Sequence, residues 1–351
     1  MHVKILGSLL FIILLFSPGA FSGQYLDVKP DYTVKVPDDF YYKKDYRVQW
    51  WYFTGHLFTD SGREFGYEIA FFVVNVQKRD YKSRFGVHDI FISHFAVSDV
   101  MENKFYFYDK TDTGAYGYAG ASNNRLKVWV EGDTLEGVMG NISLKASDMD
   151  KTIELQLLST KPIILHGEKG YSRKSETSPL ISSIYFSYTN LKTQGRLKIG
   201  KDEYHVKGIS WFDRELSSRE PGDNQKGWDW FAIQLHDNRE IMLYSIRQKD
   251  GSIDTYSNGT FIYSDGRYRR LLRNDFSVKV LNHYTSDKTD ARYPAQWEIK
   301  IPSENISLRV TPLIKDQEVI AYSSTGNYYW EGTCNVEGDA KGRAYVEMTG
   351  Y

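Results

Sequence analysis

The 351-residue chain contains one cysteine, Cys334. A single cysteine cannot form an intramolecular disulfide bond, so the fold must be stable without such a cross-link. In the segment WEGTCNVEG, Cys334 shares one predicted strand face with Trp330, Gly332 and Val336. The other face carries the polar residues Glu331, Thr333, Asn335 and Glu337. This pattern predicts a small buried apolar residue and argues against a catalytic thiol.

An excess of charge of either sign is also absent. The chain has 44 basic and 45 acidic residues, mixed along the sequence, and a formal net charge of -1 at pH 7. Binding to a phosphate backbone requires a basic surface, so we expect no nucleic acid partner.

The sequence motifs of several enzyme classes are missing. The sequence contains no GxSxG elbow, P-loop, GxGxxG or HExxH pattern, so a serine hydrolase is disfavoured. His88 and His94 share a predicted strand face but lie roughly 20 Å apart at the usual strand rise. One metal ion cannot bind both, so we predict no metal site. His94, beside Phe95, is either a pocket residue or a hydrogen-bonded core histidine.

Long helical patterns are absent as well, and period-two alternation of apolar and polar residues recurs from Trp50 to the end of the chain. Turn sequences such as TDSGR, DGR and NNR separate the alternating segments. Aromatic residues, which favour strands, make up 15% of the chain. These features predict an all-β protein of antiparallel barrels or sandwiches, and the length favours two tandem domains, residues 24–205 and 206–351.

Two segments resemble each other in the order of their residues. WWYFTGHLFTDSGREFGYEIAFF and WDWFAIQLHDNREIMLYSI each run from an aromatic cluster through an Asp-containing turn and Arg-Glu to an apolar strand. We interpret them as two related hairpins, one in each domain. The polar segment 167–178, GEKGYSRKSETS, is expected to form a long loop between strands.

The N-terminus carries the longest apolar run, from Ile5 to Phe16, followed by small residues. The run is too short to span a bilayer and is typical of a secretory signal peptide. We therefore predict a signal peptide over residues 1–23 and a periplasmic or secreted protein with no transmembrane span after cleavage.

Three acidic residues lie on predicted strand faces that are otherwise apolar or aromatic. Asp213, in GISWFDREL, shares a face with Trp211. Desolvation there would raise the pKa of the carboxyl, which suits a proton donor, whereas a salt bridge to Arg214 or to another arginine is the structural alternative. Asp229 and Glu68 also lie in apolar surroundings, and each either faces a cavity or pairs with an arginine.

Several segments along the chain form a recognisable set. In chain order, they are QWWYFTGHL with GREFGYEIAFF, SHFAVSD, LHGEKGYSRK, GISWFDREL with GWDWFAIQL, YPAQWEIKIP, and YWEGTCNVEG with GRAYVEMTGY. Together they resemble the carotenoid 1,2-hydratase (hydroxyneurosporene synthase) and AttH-like family of two-domain lipocalin-like proteins. The run WFDREL is closer to the exported AttH-like members than to the pigment-pathway enzymes.

The resemblance implies two β-barrel-like domains with an apolar pocket near their interface. It also implies that Asp213 protonates a C=C bond while nearby indoles stabilise the carbocation, with no cofactor. The residues expected at the pocket are Trp51, Glu68, His94, Tyr185 in the segment IYFSY, Trp211, Trp228, Asp229 and Trp230.

Three functions remain open from the sequence. The first is an exported hydratase that acts on an apolar isoprenoid or lipid-like substrate. The second is a periplasmic binding protein for an apolar ligand, with an export-type ABC transporter as its partner. A secreted hydrolase is the third.

Overall fold

The computed structural model describes residues 25–76, 87–219 and 222–351. The predicted signal peptide, residues 1–23, lies outside the described residues. In the described part of the chain, no helix is long and apolar enough to cross a membrane. The all-β prediction is confirmed, since the described helices are short 3₁₀ turns at Asp38–Phe40, Ala115–Gly117, Arg273–Asp275 and Pro302–Glu304.

The first antiparallel sheet contains thirteen strands within the described residues and curls on itself. Its strands are β1 (Val48–Phe58), β2 (Glu64–Asn75), β3 (Asp89–Asp99), β4 (Lys104–Asp112), β5 (Ala119–Ala121), β6 (Leu126–Val130), β7 (Asp133–Val138), β8 (Asn141–Asp148), β9 (Lys151–Ser159), β10 (Ile164–Leu165), β11 (Tyr171–Arg173), β12 (Ser182–Ile199) and β13 (Asp202–Ser217). Their order is β4-β3-β2-β1-β13-β12-β9-β8-β7-β6-β5, and β10 and β11 pair with β12.

The second antiparallel sheet has ten strands in the described part of the chain, also curled. They are β14 (Gln225–Leu235), β15 (Glu240–Gln248), β16 (Asn258–Ile262), β17 (Tyr268–Leu271), β18 (Ser277–Thr285), β19 (Arg292–Ile301), β20 (Ile306–Pro312), β21 (Glu318–Ala321), β22 (Asn327–Gly338) and β23 (Gly342–Thr349). Their order is β17-β16-β15-β14-β23-β22-β20-β19-β18, and β21 pairs with β22.

The two similar sequence segments form equivalent hairpins. The first forms the β1–β2 hairpin, in which β1 also pairs with β13. The second forms the β14–β15 hairpin, in which β14 also pairs with β23. The strands β1 and β14 therefore occupy equivalent positions in the two sheets, each between its hairpin partner and the last long strand of its sheet.

The change from the first sheet to the second occurs between Ser217 and Gln225. The predicted domain boundary at residues 205 and 206 instead falls inside β13. Residues 190–208 around this boundary, NLKTQGRLKIGKDEYHVKG, are polar and glycine-punctuated and form the outer end of the long β12–β13 hairpin, whose turn contains Gly200 at φ 64°. Such a hairpin tip has the same composition as a linker, which is why the sequence placed the boundary there.

Each sheet encloses its own hydrophobic core, with Cys334 fully buried in the second as predicted. A third apolar cluster joins the sheets. It contains Tyr185 and Trp211 from the first sheet and Trp230 and Tyr244 from the second. The two sheets are therefore packed against each other through aromatic side chains.

Arg214 is fully buried on the core side of β13. Its guanidinium donates hydrogen bonds to the carbonyl oxygens of Asp39 (3.0 Å) and Tyr41 (2.8 Å), to Gln49 Oε1 (2.9 Å) and to two further backbone carbonyls. The guanidinium carbon also lies 3.9 Å from the ring centroid of Trp51. Burial lowers the pKa of Arg214 to about 9. These contacts attach the segment around the first 3₁₀ helix to the sheet.

Replacing Arg214 with methionine is expected to lower the free energy of unfolding by roughly 3–5 kcal/mol, because several buried acceptors would lose their donor. Urea unfolding followed by tryptophan fluorescence measures this change. Arg196→Met on β12 is the control, since that side chain is 57% exposed and its loss should cost less than about 1 kcal/mol. Equal unfolding midpoints for the two variants would contradict the structural role of Arg214.

Candidate active site

A cavity of about 250 Å³ lies between the two sheets. Its walls are mainly apolar and are built from alternate residues of several strands, because side chains two residues apart point to the same face of a sheet. Among the lining residues, β1 contributes Val48, Trp50 and Tyr52, β13 contributes Asp213, Glu215 and Ser217, and β22 contributes Asn327, Tyr329 and Glu331.

Asp213 faces this cavity and is 3% exposed. Tyr185 donates a hydrogen bond to its Oδ2 (2.6 Å), Trp211 Nε1 donates to its Oδ1 (2.6 Å), and Ser187 donates to the same Oδ1. Within the described residues, Asp213 forms no ion pair, and Arg214 lies on the opposite face of the strand. Burial raises the pKa of Asp213 to about 7, although these three hydrogen bonds oppose the shift.

Aromatic rings surround the hydrogen bonds of Asp213. Trp230 Nε1 donates to the Tyr185 hydroxyl (3.0 Å). The Trp230 ring lies edge-on to Trp211 at 6.2 Å and to Tyr52 at 5.4 Å between centroids. Aromatic faces attract cations, so a positive charge that develops in the cavity would be stabilised there.

A buried histidine that the sequence did not single out lies behind Asp213. His166 Nε2 lies 2.7 Å from Ser187 Oγ, and its Nδ1 lies 2.8 Å from Thr260 Oγ1. Burial lowers the pKa of His166 to about 3, so the imidazole is neutral. Because Ser187 donates its one proton to Asp213, His166 Nε2–H donates to Ser187 and Thr260 donates to Nδ1. His166 belongs to LHGEKGYSRK, and its place in a family segment was the only sequence signal for it.

Two glutamates from the second sheet also line the cavity, and sequence reasoning missed both. Glu331 accepts a hydrogen bond from the Tyr52 hydroxyl, and Glu347 is its cross-strand partner. Burial raises the pKa of Glu347 to about 7 and that of Glu331 well above its usual range. The sequence had placed Glu331 on the polar face of its strand, and that face turns to the cavity.

His94 lies in the cavity wall with both ring nitrogens hydrogen-bonded. Nδ1 lies 2.9 Å from the Tyr329 hydroxyl and Nε2 lies 3.0 Å from Ser324 Oγ. Burial lowers the pKa of His94 to about 4. His94 therefore contributes a neutral polar group to the wall.

The structure places Tyr185, Trp228 and Trp230 in the cavity wall with Asp213, whereas Trp211 packs behind the acid that it hydrogen-bonds. The roles of these side chains toward a ligand stay predictions.

Three other predicted pocket residues do not line the cavity. Trp51 points into the first core, where its Nε1 donates to the Phe40 carbonyl oxygen (2.7 Å). Asp229 faces away from its neighbours Trp228 and Trp230 and pairs with Arg247 (3.2 Å). Glu68 is buried beside the cavity-lining glutamates, and among the described residues its carboxyl has no hydrogen-bond partner. Alternation along β1 and β14 turns Trp51 and Asp229 from the cavity, whereas Glu68 lies on the same face of β2 as the cavity-lining Phe72 and Val74 but further along the strand.

No group of three or more His, Cys, Asp or Glu side chains in the described ranges could hold a metal ion. The chemistry that this site offers comes from carboxyls, phenols and indoles around an apolar space.

Residues 27–351 match the sequence profile of the family described as AttH-like. The chain belongs to the AttH-like family. A solved structure described as an AttH protein from Nitrosomonas europaea is 30% identical with a TM-score of 0.85, and the match covers 93% of this chain and 99% of that one. The family predicted from the sequence is thereby confirmed.

Two more distant proteins share similarity with this AttH-like chain. Kievitone hydratase from Nectria haematococca has the same fold, with a TM-score of 0.69 at 14% identity over 95% of this chain and 97% of that one. Dehydratase asqC from Emericella nidulans is 21% identical over 316 residues, which cover 86% of this chain and 83% of the relative.

Asp213→Asn is expected to change how stability depends on pH. The folded protein holds a proton on Asp213 up to a pKa of about 7, whereas the usual value is 3.8. This contribution stabilises the fold fully below about pH 4 and is lost as the pH rises through 7, a change on the order of 4 kcal/mol. Because asparagine does not titrate, the melting temperature of the variant relative to wild type should be higher at pH 8 than at pH 5 in scanning calorimetry.

Asp60→Asn is the control for this prediction, because the Asp60 side chain is 88% exposed. Its melting temperature relative to wild type should be the same at both pH values. The same result for Asp213→Asn would contradict a raised pKa at that position.

Proposed function

We propose that this protein is a hydratase of the lyase class that adds water to a C=C bond of an apolar isoprenoid or lipid-like molecule. The observation that carries the proposal is Asp213, a buried acid without a cationic partner among the described residues, in a cavity walled by aromatic side chains. The names of two similar proteins, a hydratase and a dehydratase, support the same reaction class.

The reaction begins with proton transfer from Asp213 to one alkene carbon. Burial keeps the pKa of this carboxyl near 7, where a proton donor works best at neutral pH. The transfer leaves Asp213 as a carboxylate, and Tyr185, Trp211 and Ser187 then stabilise its charge through their hydrogen bonds.

Protonation leaves a carbocation on the other alkene carbon. Trp230 and Tyr52 from opposite sheets present aromatic rings to the cavity, and their π-electrons attract this positive charge. A trisubstituted alkene suits the site best, because its protonation gives a tertiary carbocation.

The size of the cavity limits what can enter it. Its volume of about 250 Å³ is slightly below the typical range of about 300–1,000 Å³ for ligand pockets. We infer that the cavity encloses a short isoprenoid or the reacting end of a longer one.

Export is part of the proposal, and its basis is the apolar N-terminal run at residues 5–16. In the periplasm or outside the cell, the protein would meet its apolar substrate without a membrane span of its own.

A carrier of an apolar ligand, with an ABC transporter as partner, is the second candidate. The mainly apolar cavity wall favours it. A carrier would bind the same molecules and leave them unchanged.

Asp213→Asn is expected to lower hydration by about 10²–10⁴-fold, because it removes the proton donor. The assay incubates the protein with geraniol, farnesol or squalene in ¹⁸O-labelled water and detects the labelled alcohol by mass spectrometry. Binding, followed by tryptophan fluorescence, should persist in the variant because the aromatic walls remain.

The matched control is Asp133→Asn, a buried aspartate of the first sheet that pairs with Lys110 away from the cavity. If it folds, as calorimetry will show, it should turn over like wild type. Full turnover by Asp213→Asn would refute the proton donor, and binding without turnover by wild type would identify a carrier.

A further inference from the structure

Glu347 and Asp213 face one cavity from opposite sheets. Asp213 projects from β13 of the first sheet and Glu347 from β23 of the second. Glu347 is partly exposed within the protein, whereas Asp213 is buried. A molecule between the sheets would therefore meet one carboxyl on each side.

Hydration needs a second group besides the proton donor. Water that attacks a carbocation becomes a positively charged oxonium, and an apolar site without bulk water offers it few proton acceptors. A carboxylate placed opposite the donor would accept this proton at the moment the C–O bond forms.

We propose that Glu347 is a catalytic base that orients the attacking water and accepts its proton. This inference rests on the proposed hydratase function and adds a second catalytic residue to it. The atoms balance: the Asp213 O–H bond breaks as a C–H bond forms, and a water O–H bond breaks as the C–O bond and the Glu347 O–H bond form. One proton has then moved from Asp213 to Glu347, and its return through cavity water resets the enzyme.

The other acids at the cavity are less suited to accept a proton. Glu215 pairs with Lys174 and also accepts a hydrogen bond from Ser183. Glu331 accepts a hydrogen bond from the Tyr52 hydroxyl, and burial raises its pKa well above its usual range, which disfavours the carboxylate form that a base requires. Glu347 alone among these glutamates combines access to the cavity with a pKa of about 7.

The charges around Glu347 adjust its proton affinity in both directions. Burial raises its pKa, a hydrogen bond from the Trp228 side chain lowers it, the carboxylates of Asp213 and Glu215 raise it, and Lys174 lowers it. The carboxyls of Glu331 and Glu68 and the phenols of Tyr52, Tyr329 and Tyr345 belong to the same buried cluster of interacting titratable groups. When Asp213 is ionised, its charge raises the pKa of Glu347, so simultaneous ionisation of both carboxyls is disfavoured.

An isotope-exchange experiment distinguishes the role of Glu347 as the base from the role of Asp213 as the proton donor. With the alkene that wild type hydrates, Glu347→Gln should lower the formation of ¹⁸O-labelled alcohol by about 10²–10⁴-fold. The same variant should still exchange deuterium from D₂O into the alkene, because Asp213 can give and take back a proton without Glu347. Asp213→Asn should lose both reactions, and Glu347→Asp should restore part of the hydration.

Glu318→Gln is the matched control, since Glu318 is a buried glutamate of the second sheet that binds Ser286, Thr289 and Tyr293 away from the cavity. Once shown to be folded by calorimetry, it should keep both reactions. Infrared spectra compared between wild type and Glu347→Gln should show a protonated carboxyl band that disappears as the pH rises through neutrality.

The outcomes distinguish the two proposals. If wild type hydrates none of the three alkenes, the proposed function fails, and with it the role of Glu347. If wild type is a hydratase and Glu347→Gln keeps its rate, or loses deuterium exchange together with hydration, only the assignment of the base is overturned. A Glu347 carboxyl band that persists to pH 9 would also overturn that assignment.

Discussion

The alternation of side chains along β13 separates a buried cation from a buried acid. Arg214 turns into the first core and binds backbone carbonyls, while Asp213 turns to the space between the sheets. The backbone of the strand lies between them, so the acid receives hydrogen bonds without a counter-charge. The raised pKa of Asp213, and with it the proton transfer proposed for this residue, depends on this separation.

The space between the sheets combines two properties that rarely occur together. Its mainly apolar walls favour neutral acids, while indole and phenol donors stabilise a carboxylate once it forms. Asp213 can therefore exist in either protonation state at little cost.

Much of this arrangement follows from the sequence. Period-two alternation predicted the strands, the two hairpins, and the shared face of Trp211 and Asp213. It also placed Trp228 and Trp230 on one side of their strand and Asp229 on the other, as the structure has them.

Other features of the site could not be predicted, because alternation assigns side chains to the two faces of a strand but does not indicate which face contacts the cavity, the core or solvent. Trp50 and Trp51 are neighbours in one motif, yet only Trp50 lines the cavity, while Trp51 packs against Arg214. In the sequence, the polar face of β22 that carries Glu331 has the pattern of a solvent-exposed face. In the structure, this face lies against the first sheet and is buried at Glu331. His166 lies at the start of a polar segment, and only tertiary contacts with Ser187 and Thr260 reveal its position behind the acid.

The pairing of β1 with β13 has a consequence for how the chain folds. Val48 of β1 pairs with Ser217 of β13. During synthesis, β1 therefore lacks this pairing partner until the chain has been extended through β13. Such non-local pairing is slow to form, and until it does, β1 presents an unpaired edge rich in aromatic residues. The strand that carries Asp213 is thus the one that completes the pairing of β1, and a chain that stalls before β13 is made is exposed to pairing with other copies of itself.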